Sequence, residues 1–198
     1  MNFDDFDETY HIEKFKNKSK KKNGNMKGKR GEREVVGILN LRFSYLTETF
    51  SRSVGSGNRW GQVANMPSHA KETLTGDICC PKGFRFCIES KTGYSKIDMN
   101  SVFQGGNTEL DSFLEQAEDD AKRCGKPPLL VWKKDRKPWL AFIKTKDLTG
   151  NYEYKLNYRE WSCITVKDLL TLPNGFFFPT ENDLGRVSDN PEAKENPS

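Results

Sequence analysis

Between Gly76 and Lys91 the chain reads GDICCPKGFRFCIESK, which sets Asp77, Glu89 and Lys91 among three of the chain's five cysteines. Two chemistries are open to such a stretch, a thiolate metal site or a carboxylate one. Structural zinc sites commonly use paired cysteines separated by a few residues, and Cys79, Cys80, Cys87, Cys124 and Cys163 show no such pairing. Zinc would need these thiols to converge in space with His69. Packing as small, buried apolar residues is the plainer role for them. Histidines number two, His11 and His69, which argues against a histidine-centred hydrolase.

The carboxylates offer more. On a strand, Glu89 and Lys91 project from the same side, and Asp77 can approach them from a neighbouring strand. Paired carboxylates supply hard oxygen ligands for Mg²⁺, with Mn²⁺ as an alternative; Mg²⁺ takes few protein ligands and keeps several waters. The lysine would then orient or deprotonate an attacking water, or stabilise charge forming on a phosphate. Taken alone, the pattern is better explained by an exposed salt bridge on a hairpin. Two further features bear on the choice. Glu32 falls on the apolar face of a helix, where an acid is costly unless paired or bound to a cation, although a helix start could keep it wet. RSVGSGNRWG places Arg52 and Arg59 around a Gly/Ser loop whose backbone could approach phosphates closely.

Several elements must position these residues. Glu32, Val36, Leu39 and Phe43 share one helical face, while Glu34 lies roughly 200° around the helix from Glu32 and points away. TETFSRSV reads as a short strand, followed by a long loop up to Thr75. GDICC and FRFCIESK, joined by PKG, predict an antiparallel hairpin. Leu110, Phe113, Leu114, Ala117 and Ala121 predict a helix over 108–124, with GNT before it and Gly125 and Pro127 after. PPLLVWKK and PWLAFIK follow as strands separated by KDRK, and then WSCITV as a strand and VKDLLTL as a short helix. This order predicts an α/β domain with a central mixed β-sheet flanked by helices.

At 198 residues, with 34% hydrophobic and 30% charged residues, the chain suits a globular domain of ordinary size with tails. The expected boundaries are 1–26 for a disordered arm, acidic and then basic, 27–180 for the domain and 181–198 for a flexible tail. The net charge is +4, and the segment Lys14–Arg30 holds bases with no acid, as a nucleic-acid arm would, with Lys27, Lys29 and Arg30 at its domain end. No apolar run is long enough to span a bilayer and the start is acidic, so the expectation is a cytoplasmic protein, free or nucleoid-associated, with no membrane partner.

KGKRGEREVVGIL, FSRSVGSG, TGDI and CIESK, in that order, resemble the helix glutamate, the Arg-Ser-x-Gly-Ser loop, the aspartate and the Glu-x-Lys of archaeal-type Holliday-junction resolvases. These enzymes are members of the PD-(D/E)XK nuclease superfamily with a restriction-endonuclease-like core. The resemblance runs from about Lys27 to Lys91. It implies Asp77 and Glu89 as metal ligands, Lys91 as the catalytic lysine, and Glu32 as a further acid that helps hold metal or water. It also implies support for DNA binding or catalysis from Arg33, Arg52 and Ser56. The chain departs from the pattern in a longer segment after Ser56, where Arg59, Trp60, His69 and Lys71 are candidate DNA contacts, and in Gly76, which stands where the superfamily has proline. Gln116, at the edge of the 108–124 helix's apolar face, matches a polar residue that often approaches the site in this superfamily. The function implied is a Mg²⁺-dependent, structure-selective endonuclease that acts as a homodimer on four-way DNA junctions, and a phage or mobile-element origin suits it. The rival readings are another nuclease of the superfamily, restriction-like or linked to replication and repair, and a non-catalytic DNA-binding module.

Overall fold

The computed structural model describes residues 24–53, 75–94, 97, 100, 102, 104, 106–148, 150, 152 and 155–180. Helix α1 spans Gly24–Arg42, three residues longer at its start than the apolar pattern predicts. Its buried stripe is Val35 and Leu39, continued by Phe43 beyond the helix end. Two anchors hold its far end. Arg42 donates through Nε to the Leu170 carbonyl at 2.7 Å and through Nη2 to the Leu172 carbonyl at 3.1 Å. Asn40 exchanges hydrogen bonds with both backbone groups of Phe50, imitating a strand neighbour.

Phe50 leads into β1, Ser51–Arg52, which pairs antiparallel with β2, Ile78–Cys79. The main sheet has five strands: β3 (Cys87–Thr92), β4 (Pro128–Lys133), β5 (Leu140–Lys144), β6 (Leu156–Tyr158) and β7 (Trp161–Thr165). Their order is β3-β4-β5-β7-β6, with β3 and β4 parallel and the other pairs antiparallel. A parallel pair needs a crossover, and α2 (Thr108–Cys124) lies between the two strands in the chain. Its ends are written in the sequence. Asn107 caps the start by accepting from the Leu110 N–H, and Gly125 closes the end in the left-handed conformation at φ 69°.

Strand alternation sorts the core into two layers. Leu129 and Val131 face α1, together with Ile88, Ala141 and Ile143. Leu130 and Trp132 face α2, together with Phe142 and Cys163. The fold is thus a mixed sheet with a long helix packed on each face, as the element order predicts. Short helices α3 (Val166–Leu169) and α4 (Asn174–Phe177) close the α1 side.

The predicted hairpin is not what forms. β2 pairs with β1, and the backbone link between the two halves of the stretch is the bond from the Asp77 N–H to the Ile88 carbonyl at 3.0 Å. The cause lies in FRF. Phe84 and Phe86 are fully buried and pack against Phe177 and Phe176, while the Arg85 N–H donates to the Phe177 carbonyl at 2.8 Å. Those long-range contacts draw residues 84–86 away from β2, so β3 starts at Cys87. Strand β6 and helix α4 are further additions to the sequence reading. Both are short and set by tertiary packing: Tyr158, Phe176 and Phe177 are buried.

Candidate active site

Glu89 sits in the middle of β3 and is 2% exposed. Two residues on, Lys91 turns to the same side and places Nζ 2.5 Å from Glu89 Oε1 and 2.9 Å from Gln116 Oε1 of α2. Phe113, one turn earlier on α2, puts its ring centroid 5.5 Å from the same nitrogen. The lysine is therefore clamped between its own strand and the crossover helix.

Asp77 reaches this strand because of the residue before it. Gly76 has φ 81°, and a Cβ there would lie 2.6 Å from the Ile88 carbonyl oxygen. Proline, confined near φ −65°, could not take that conformation, which accounts for glycine at this position. The carboxylate of Asp77 then accepts the Ser90 N–H at Oδ2, 3.1 Å away. Asp77, Glu89 and Lys91 are thus gathered over four consecutive residues of β3.

The electrostatics show strain from like charge. Burial first, and then the charge of Asp77, push the Glu89 carboxyl up to about 8. Asp77 is also raised by burial, with the Ser90 N–H and Lys91 pulling the other way. For Lys91, burial lowers the ammonium's affinity for its proton, but the Glu89 charge and hydrogen bond together with Asp77 outweigh it, so its pKa rises. Asp120, one helical turn beyond Gln116, is buried and raised by that burial, and its charge is felt by both Asp77 and Glu89. Sequence reasoning passed over Asp120. Its i+4 spacing from Gln116 was the available signal.

Glu32 is engaged within the protein. It is buried, as the helical face requires, but its Oε2 accepts from Arg52 Nε at 2.6 Å. Among the described residues no group of three or more His, Cys, Asp or Glu side chains is disposed to hold a metal ion, so Glu32, Asp77 and Glu89 are not drawn into one ligand set. The β1–β2 pairing brings Arg52 opposite Ile78, beside Asp77, and this is how the arginine meets Glu32 instead of solvent. Glu32 still contributes charge that raises Asp77. Glu34 points elsewhere, accepting from Trp139 Nε1 at 2.8 Å and pairing with Lys133.

Lys29, Arg30 and Arg33 are exposed on α1 and Lys27 is half-buried. Ser56, Arg59, Trp60, His69, Lys71 and both expected tails before Gly24 and after Thr180 lie outside the described residues. All five cysteines are free thiols. Cys87 and Cys124 hydrogen-bond to each other, which holds Cys124 down at about 7. No helix among the described residues is long and apolar enough to cross a membrane.

A family model described as "Phage putative PDDEXK endonuclease" matches residues 23–172, which includes α1, the carboxylates, the lysine and the whole sheet. The chain belongs to this phage PDDEXK endonuclease family. As a family member it is an endonuclease, and the matched span contains Asp77, Glu89 and Lys91. Protein D14 of Escherichia phage T5 is 32% identical over 125 residues, covering 61% of this chain and 71% of that protein. Among solved structures, Hjc of Archaeoglobus fulgidus, a Holliday junction resolvase, aligns with TM-score 0.34 and 16% identity, over 71% of this chain and 85% of the other.

Proposed function

We propose that this PDDEXK endonuclease is a Mg²⁺-dependent, structure-selective nuclease that hydrolyses phosphodiester bonds of branched DNA, four-way junctions above all. The observation that carries the reading is the convergence of buried Asp77 and Glu89 on Lys91.

The donor set fits a small dication. Two buried carboxylates lie close to one ammonium, Glu89 paired with it directly and Asp77 within reach of its charge, and burial raises both carboxyls above their ordinary values. Asp77 and Glu89 would hold the ion, with Mn²⁺ able to replace Mg²⁺. Bound there, the metal supplies a Lewis acid and a water of lowered pKa. The remaining work falls to the chain. Lys91 stays protonated, because its carboxylate neighbours raise its pKa, so it serves as a hydrogen-bond donor to the attacked phosphate and not as the base. Glu89 and Gln116 fix its direction. Water oxygen adds to phosphorus as the opposite P–O bond breaks, leaving a phosphate monoester and a hydroxyl. Arg52, neutralised on one side by Glu32, stands beside Asp77 as a contact for the flanking phosphate.

Junction selectivity is supported by the sequence RSVGS, which precedes TGDI and CIESK in the order that resembles the junction resolvases. A homodimer would supply the two symmetric cuts that one junction needs, and the phage relative supports action in the host cytoplasm. The test uses synthetic junctions, flaps and linear duplex side by side, with Mg²⁺ and with EDTA. Cleavage of junctions should dominate, stop in EDTA, and fall at least ~10³-fold in Asp77→Asn and in Glu89→Gln. Undiminished cleavage by both variants would overturn the site, and a preference for linear duplex would replace the junction reading with a duplex nuclease.

A further inference from the structure

We propose that the β4–β5 turn is a second phosphate-binding surface, in which Arg136 and Lys137 grip the backbone of duplex DNA beside the scissile bond. This rests on the DNA-endonuclease reading and extends it to residues that no sequence motif marks. The turn's place follows from the register. Lys91 pairs across the sheet with Trp132 and Thr92 with Lys133, so residues 134–137 begin one step past the end of β3 that carries Lys91.

The basic start of α1 is fastened to the same turn. Lys27 Nζ meets Asp135 Oδ2 at 2.6 Å, Glu34 pairs with Lys133, and the Thr92 hydroxyl donates to the Lys27 carbonyl at 3.3 Å. These contacts engage the two acids of the surface, Glu34 and Asp135, with lysines. Lys29, Arg30 and Arg33 on α1 and Arg136 and Lys137 on the turn fastened to it are left exposed, forming a basic rim. A polyanion is the complementary partner, and the backbone of a duplex presents regularly spaced charge that such a rim can follow.

The backbone adds an independent observation. Arg136 has φ 60°, a left-handed conformation that glycine or asparagine adopts more readily, while the Lys137 N–H closes the turn onto the Lys134 carbonyl at 3.0 Å. A long cationic side chain kept at a strained position projects from the tip of the turn; strain of this kind collects at functional sites. Folding alone would favour asparagine there.

The experiment is fluorescence-anisotropy titration of the full chain with labelled duplex DNA in EDTA across a salt series. Arg136→Asn/Lys137→Gln should weaken binding and make the slope of log K against log[salt] shallower by ~0.9 per lost phosphate contact, or ~1.8 for both. Arg136→Lys/Lys137→Arg should keep the wild-type slope. Lys137→Gln alone, at an exposed position, should show about half the change with the melting temperature unaltered, which separates lost contacts from lost fold. If wild-type protein binds DNA and the Asn/Gln variant keeps its slope, the turn is not a DNA contact. If the conservative variant loses binding as the Asn/Gln variant does, charge is not what the turn supplies. If the wild-type chain binds no duplex at all, this inference and the DNA reading fall together.

Discussion

Glu89 illustrates what a buried acid costs a fold that needs it. In the unfolded chain a glutamate ionises near 4.5, whereas in the folded chain Glu89 keeps its proton until about pH 8. The folded state binds the extra proton between those values, so stability falls as pH rises through that window and levels off above it. Glu89→Gln retains the shape and can still accept from Lys91, but it has no charge to bury. In EDTA the variant should melt at or above the wild-type temperature. The gap should be smallest near pH 4.5 and widen toward pH 8, to on the order of a few kcal/mol. Mg²⁺ should raise the wild-type melting temperature at about pH 8 and leave the variant unmoved. Parallel melting curves across the pH series would show that Glu89 ionises freely. At this scale the sequence was most informative where periodicity determined direction: Glu89 and Lys91 on one side of a strand, Glu32 on the buried face of a helix. It was least informative about partners, since neither spacing nor composition shows that Arg52 takes up Glu32 while Asp120, paired with Arg123, adds its charge near the carboxylate pair.

The elements were legible to different degrees for physical reasons. Helix α2 carries a 3.6-residue apolar stripe, an asparagine cap and a terminal glycine, all local signals, and it forms over the predicted span. The hairpin around PKG had equally good turn chemistry. It lost to the burial of Phe84 and Phe86 against a C-terminal aromatic cluster some ninety positions away, a competition that local pattern cannot express. The same limit applies where α1 crosses β3. A Cβ on Gly31 would lie 2.1 Å from Thr92 Cγ2, so the helix approaches the site strand as closely as a glycine allows. Gly31→Ala should cost about 1–3 kcal/mol of stability by forcing α1 off β3, and cleavage should fall with it as Glu32 and Arg52 shift. Thr92→Ser removes the obstructing methyl and keeps the hydroxyl that donates to Lys27. On its own it should be nearly silent, and in combination with Gly31→Ala it should restore most of the loss, a non-additivity readable by denaturant titration. If the two effects simply add, the contact is not what limits the approach.

Across the whole molecule, basic charge is concentrated toward one end of the sequence. The segment Lys14–Lys22 contains six lysines and no acid, and it precedes α1, which begins at Gly24 and whose Lys27 is paired with Asp135 of the β4–β5 turn. Composition makes this asymmetry plain without a structure, because like charges accumulate in sequence as well as in space. What composition cannot give is the second half of the rim, since KDRK reads as an ordinary polar turn until the sheet register sets it beside α1. If both halves hold phosphates, their contributions to salt dependence are separate quantities. A chain lacking residues 1–23 should melt as the intact chain does, because the deletion stops short of α1, yet bind duplex DNA more weakly. Its salt slope should be shallower by ~0.9 for each lysine that had engaged a phosphate, an upper bound of roughly 5. Combining the deletion with Arg136→Asn/Lys137→Gln should add the two slope changes, as expected of contacts that share no partner. An unchanged slope on deletion would leave the lysine run as a solvated tail, and the rim formed by α1 and the β4–β5 turn would have to hold the DNA unaided.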